Sequence, residues 1–204
     1  MSTPAIGFIG LGLMGGNMVE NLQDKGHTPR VLGRNKDAVA KVVARGGLEA
    51  SSPAELAAES DIVMLALTTS EVVEEHIYAE NGILAGIQPG AVVIDFGTSI
   101  PASTRKIGAD LAAKGAGMID AALGRTPAHA SQGLLNIMAA GNPETFEKVK
   151  PILEQQGENI FYLGGLGAGH TTKLINNFVG MTTVCAMSQA FAVAECAGVD
   201  RQQL

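Results

Sequence analysis

The N-terminal segment constrains the fold most. An apolar run at residues 5–9 leads directly into Gly10-Leu11-Gly12-Leu13-Met14-Gly15. Met14, Met18 and Leu22 then fall on one helical face that stops at Gly26. A strand that turns through glycines into an amphipathic helix starts a βαβ unit. The glycines permit a tight turn and let a pyrophosphate reach the helix N-terminus, whose free N–H groups and dipole favour an anion. The pattern is weak by itself in a chain of 204 residues with 26 glycines. Its place between a strand and a helix makes it informative.

The alternation continues along the chain. Residues 30–32 read as a second strand, 37–44 as a helix ending at Gly46-Gly47, and Ser52-Pro53 as the N-cap and first residue of another. Strand 61–67 precedes a helix capped by Ser70, and Pro89-Gly90 turns into strand 91–96. Pro101 opens a helix to Lys114, followed by strands 118–123 and 134–140, helix 143–155 and strand 159–163. From Gly169 the pattern is helical almost to Gly198. Strands separated by such helices predict an α/β fold, a Rossmann-type doubly wound and mostly parallel sheet followed by a long helix.

Composition excludes some partners. The chain is 46% hydrophobic but has no Trp and 4% aromatic residues, which predicts an aliphatic core. A net charge of −6 without a basic cluster argues against nucleic acid or an anionic membrane surface. Cys185 and Cys196 lie eleven residues apart on one helical stretch, too far to bridge. They are expected to be buried free thiols in a cytoplasmic protein. No signal peptide is expected, nor an apolar stretch long enough to span a bilayer. His27, His76, His129 and His170 are scattered, and no cluster has metal-ligand spacing.

Two sites suggest chemistry. An acidic residue about 20 positions beyond the glycine loop would bind the ribose 2′-OH of NAD. Here Gly33, Arg34 and Asn35 occupy that place. An acid would repel a 2′-phosphate, whereas a small residue and a guanidinium would admit one, so NADP is expected over NAD unless Arg34 is a plain surface charge. The second site is Gly167-Ala168-Gly169-His170-Thr171-Thr172-Lys173-Leu174-Ile175-Asn176-Asn177. Lys173 and Asn177, four residues apart, share a helical face. Apolar flanks would place Lys173 at the edge of a buried helix, where desolvation lowers its pKa. The bland alternative is an exposed Lys with a capping Asn.

Together these features resemble the β-hydroxyacid dehydrogenase family, which includes 3-hydroxyisobutyrate dehydrogenases and tartronate semialdehyde reductases. The resemblance rests on the run Gly7 to Gly15, on Val93-Ile94-Asp95-Phe96-Gly97-Thr98, on Asp120-Ala121, and on Gly167-x-Gly169 through Lys173 and Asn177. It implies that Lys173 is the catalytic acid/base and that Asn177 orients the substrate or Lys173. It also implies that Leu67, Thr68, Thr69 and Thr98 join Gly10, Leu11, Gly12, Leu13, Met14, Gly15, Arg34 and Asn35 around an NADP or NAD cofactor. Residues 1–164 would form the NAD(P)-binding domain, and 165–204 a connecting helix that begins an all-α domain.

Two departures bear on the reaction. The family's usual Ser-Gly-Gly turn is replaced by Gly124-Arg125-Thr126, a run similar to that of sulfolactaldehyde reductases in the same family. Arg125 with the Thr126 hydroxyl could clamp a terminal carboxylate or sulfonate, or Arg125 could pair on a loop surface. Family members also continue for roughly another hundred residues, about an ordinary domain's length. Without them, an apolar face along Leu174, Phe178, Met181, Cys185, Phe191 and Val193 would lack its cover, and such a surface normally finds a partner. Either the chain is a fragment of a longer protein or pairing with another chain supplies the missing wall, and a homo-oligomer is expected.

Three functions follow as expectations. The first is hydride transfer between NADP(H) and a small anionic 3-hydroxy acid or its semialdehyde. The second keeps that chemistry with a sulfonate substrate, as in a 3-sulfolactaldehyde reductase. The third is a nucleotide-binding module without turnover.

Overall fold

The computed structural model describes residues 3–204. Its centre is an eight-stranded sheet in the order β3-β2-β1-β4-β5-β6-β7-β8. The strands are β1 (Ile6–Ile9), β2 (Arg30–Leu32), β3 (Leu48–Glu49), β4 (Ile62–Leu65), β5 (Val92–Asp95), β6 (Gly117–Gly124), β7 (Leu135–Gly141) and β8 (Gly157–Tyr162). All neighbours pair in parallel except β6 and β7. The mostly parallel, doubly wound expectation therefore holds.

The helices are α1 (Leu13–Asp24), α2 (Lys36–Ala44), α3 (Pro53–Ala58), α4 (Ser70–Tyr78), α5 (Ile83–Gly86), α6 (Pro101–Ala113), α7 (Pro127–Ser131), α8 (Pro143–Gln156) and α9 (Ala168–Cys196). Ser52 caps α3 through the Glu55 amide, as its sequence predicts. The cap of α4 is Thr69 rather than Ser70: β4 ends two residues earlier than its apolar run suggests, and Ser70 Oγ instead accepts the Ile100 amide at 2.7 Å. The short elements β3, α5 and α7 escape sequence patterns because they are too short for a helix or strand period to repeat twice.

The strands bury both faces. Phe8, Met64 and Ile94 point into one apolar cluster with α1 and α8, while Val63, Leu65 and Val93 point into a second with α3, α4 and α6. Each large aliphatic side chain so buried contributes about 1.5–3 kcal/mol. The core is aliphatic, as the composition implies.

Strand order reverses beside β1: the chain moves outward through β2 and β3, then returns to β4 on the other side of β1. The crevice at the carboxyl ends of β1 and β4 is thus the fold's natural ligand site.

Helix α9 corrects three expectations. It is not a buried helix: only Gly169, His170 and Ala194 are buried along its 29 residues, and Phe178 is 71% exposed. Both cysteines are accordingly exposed free thiols. By length and composition α9 is also apolar enough to cross a membrane. Asn176, Asn177, Gly180 and Ser188 interrupt its apolar runs without adding charge.

Candidate active site

The three loop glycines have three separate physical reasons. Gly10 has φ +102°, and a Cβ there would collide with the Ala66 carbonyl oxygen. A Cβ on Gly15 would strike the Gly10 carbonyl, so this glycine allows α1 to pack against β1. Gly12 has no atom within 4 Å of where its Cβ would sit, and its missing side chain faces open space. It is also the N-cap of α1, with no side chain to satisfy the helix. The amides of Leu13, Met14 and Gly15 make no hydrogen bond among the described residues; the first helical bond runs from Gly16 to Gly12. Three free N–H groups and an open approach make this helix start suited to an anion such as a pyrophosphate.

This helix start opens onto a cleft of about 490 Å³. Of the residues predicted around the cofactor, Gly10, Leu11, Gly12, Arg34, Asn35, Leu67 and Thr68 line it. Leu13, Met14 and Gly15 belong to the adjoining first turn of α1, Thr69 caps α4, and Thr98 is exposed on the loop after β5. Arg34 is exposed and makes no hydrogen bond or ion pair among the described residues. Asn35 is occupied as the N-cap of α2, accepting the Asp37 and Ala38 amides. Sequence reasoning missed Pro53, Val72 and His76, which also line the cleft. Val72 and His76 share one face of α4 by their i,i+4 spacing, but no sequence signal says which cleft that face borders.

A second assembly holds the start of α9. Asp95 and Asp120 are paired in register on β5 and β6, and both are buried. Asp120 accepts the Gly167 amide on Oδ1 and the His170 amide on Oδ2, each at 2.7 Å. A Cβ on Gly169 would collide with the Met138 carbonyl oxygen, so this glycine allows α9 to approach β7 closely. His170 is fully buried. Its Nδ1 lies 2.8 Å from Thr104 Oγ1, and its Nε2 faces Asp95 Oδ2 at 3.7 Å without a hydrogen bond. His170 is a packing residue that joins β5, β6, α6 and α9.

Lys173 follows one turn later. It is half-buried, although its neighbours Leu174 and Ile175 are exposed. Burial away from water lowers its pKa from the ordinary lysine value. No hydrogen bond or ion pair among the described residues engages its amine. Asn177 is exposed on the same helical face.

The Gly124-Arg125-Thr126 turn ends β6. Arg125 has φ +75°, a left-handed conformation uncommon for a non-glycine residue. Its guanidinium donates to the Leu134 carbonyl at 2.7 Å and pairs with Glu158 at 2.5 Å. Thr126 Oγ1 lies 2.8 Å from His129 Nδ1. Both side chains of the predicted clamp are therefore engaged within the protein. Among the described residues no group of three His, Cys, Asp or Glu is placed to hold a metal.

Comparison with known proteins agrees with this geometry. Residues 5–164 match the family described as the NAD binding domain of 6-phosphogluconate dehydrogenase. The chain is 38% identical to 3-sulfolactaldehyde reductase of Escherichia coli over 94% of its own length, and spans 64% of that relative. It is 35% identical to the NAD-dependent L-serine dehydrogenase of Pseudomonas aeruginosa, covering 98% of this chain and 67% of that one. Among solved structures, 3-hydroxyisobutyrate dehydrogenase of Mycobacterium tuberculosis with L-serine superposes with a TM-score of 0.90 at 31% identity, over 98% of this chain and 68% of that one. The chain belongs to the β-hydroxyacid dehydrogenase family, and its residues 5–164 are the NAD-binding domain of the 6-phosphogluconate dehydrogenase type.

Proposed function

We propose that this chain carries the cofactor-binding and proton-transferring parts of an NAD(P)-dependent oxidoreductase. It would act on a small anionic 3-hydroxy acid or its semialdehyde. The observation that carries the reading is Lys173, a half-buried amine without an ion-pair partner among the described residues, one turn from the clamped start of α9. The bound cofactor supplies or accepts the hydride. The Lys173 ammonium stabilises and protonates the alkoxide formed on reduction; the neutral amine takes the hydroxyl proton in the reverse direction. Asn177 orients the substrate or the amine from the next turn.

Residues 1–164 are read as the cofactor domain, with Thr69 and Thr98 near the nicotinamide end. Residues 165–204 are read as a connecting helix leading into an all-α domain. The uncovered apolar side of α9 supports self-association, and a cytoplasmic location belongs to the same reading. NADP is favoured because Gly33 stands where an acid would repel the 2′-phosphate and Arg34 is unpaired among the described residues. The NAD-dependent serine dehydrogenase among its relatives favours NAD instead.

The similarity to a 3-sulfolactaldehyde reductase and the Gly124-Arg125-Thr126 turn favour a sulfonate substrate as the second reading. On either reading, the substrate anion competes with Glu158 for Arg125. A screen of short aldehydes bearing a carboxylate or a sulfonate, followed by NADPH absorbance, tests the function. Turnover of one class is expected. Tight cofactor binding without turnover of any would leave a nucleotide-binding module. An Arg125→Ala variant with an unchanged KM for every anionic substrate would remove Arg125 from the site.

A further inference from the structure

We infer that His76 reads the base of the dinucleotide, its Nε2 accepting a hydrogen bond from the 6-amino group of adenine. The inference rests on the cleft being the cofactor site, and it concerns a residue to which the family resemblance assigns no role.

Val72 and His76 lie four residues apart on α4, and both border the cleft. Pro53 lines the same cleft, as do Gly33 and Arg34 at the end of β2, where the ribose of a bound dinucleotide would lie. Pro53 and Val72 offer apolar surface of the kind a purine ring rests against. His76 is the titratable polar group beside them, and its tautomer is fixed by its neighbour. Its Nδ1 lies 2.8 Å from the Val72 carbonyl oxygen, which can only accept, so Nδ1 carries the proton. In the neutral ring Nε2 then presents a bare lone pair. Nε2 makes no hydrogen bond among the described residues and is not among the buried, unpartnered atoms, so it is open to a ligand.

A lone pair at this position discriminates between bases. Adenine carries an amino group at C6, a donor that Nε2 can accept. Hypoxanthine carries a carbonyl there, so two acceptors would face each other and one hydrogen bond would be lost. A leucine or phenylalanine in place of His76 would hold either ring by contact alone.

The chain has no Trp to report binding by fluorescence, so calorimetry is the suitable measurement. NADPH and NADH would be titrated beside their hypoxanthine analogues, at mildly alkaline pH where imidazoles are ordinarily neutral. The adenine forms should bind about tenfold more tightly than their analogues. His76→Leu should bring each pair within about a factor of two, through weaker adenine binding. His76→Gln, whose amide can turn either its oxygen or its nitrogen to the base, should accept both. Equal affinities in the wild type, or a preference that survives His76→Leu unchanged, would overturn the inference while leaving the cofactor site in place. Failure of all four dinucleotides to bind would overturn the cofactor reading and this inference with it.

Discussion

The Asp120 carboxylate accepts the backbone N–H of His170 at 2.7 Å, tying strand β6 to the first turn of the helix that carries Lys173. Its other oxygen takes the Gly167 amide, so both acceptor positions of one buried acid fix the entry of α9. Asp120→Asn keeps the shape but turns an NH₂ donor toward one of these N–H groups. We expect a loss of about 1–3 kcal/mol, read as a lower Tm and denaturant midpoint. Wild-type stability in this variant would show that α9 is held by its other contacts.

The loop glycines separate folding from binding. Gly15→Ala places a methyl against the Gly10 carbonyl and should destabilise the fold by about 2 kcal/mol or more. Gly12→Ala meets no protein atom and should unfold near the wild-type temperature. Its methyl would stand in the phosphate approach, so cofactor affinity should fall by about tenfold or more. Thermal unfolding and calorimetric titration of the two variants check both halves.

These glycines illustrate what the sequence made legible. G-x-G-x-x-G after a strand carries its own mechanism: the tight turn at Gly10 was expected, and the packing role of Gly15 emerged from the structure. The crossovers and the long last helix were likewise visible, because apolar periodicity over ten or more residues is a strong signal. Of the caps, Ser52 was placed correctly, whereas that of α4 was off by one residue. The exposure of α9 was legible in part: its apolar face was expected to lack a cover, and Leu174, Phe178, Met181 and Val193 are exposed. Periodicity identifies an apolar face but not what covers it, so Cys185 and Cys196 were expected inside and lie outside. Nor could spacing place His76 in the cleft or tie Arg125 to Glu158, since each depends on elements distant in the chain.

Arg34 gives a direct test of cofactor preference. It is exposed and has no partner among the described residues, so its removal should cost the fold little. Arg34→Ala should weaken NADPH by about tenfold or more, the loss of a charge-assisted contact, and leave NADH within about a factor of two. An equal loss for both, or tighter NADH binding by the wild type, would assign the site to NAD.

Burial lowers the Lys173 pKa, which sets the sign of the pH dependence. Reduction needs the ammonium, so its rate should be level at lower pH and fall as pH rises through the lowered lysine pKa. Oxidation needs the neutral amine and should rise through the same range. A pair of kcat profiles displaced in the same direction would contradict this role.

The most direct test compares kcat for semialdehyde reduction between the wild type and Lys173→Met, with NADPH affinity measured on both. The account predicts a loss of about a hundredfold or more in kcat, unchanged cofactor binding, and disappearance of the alkaline limb. A variant that turns over at the wild-type rate with the same pH profile would contradict it.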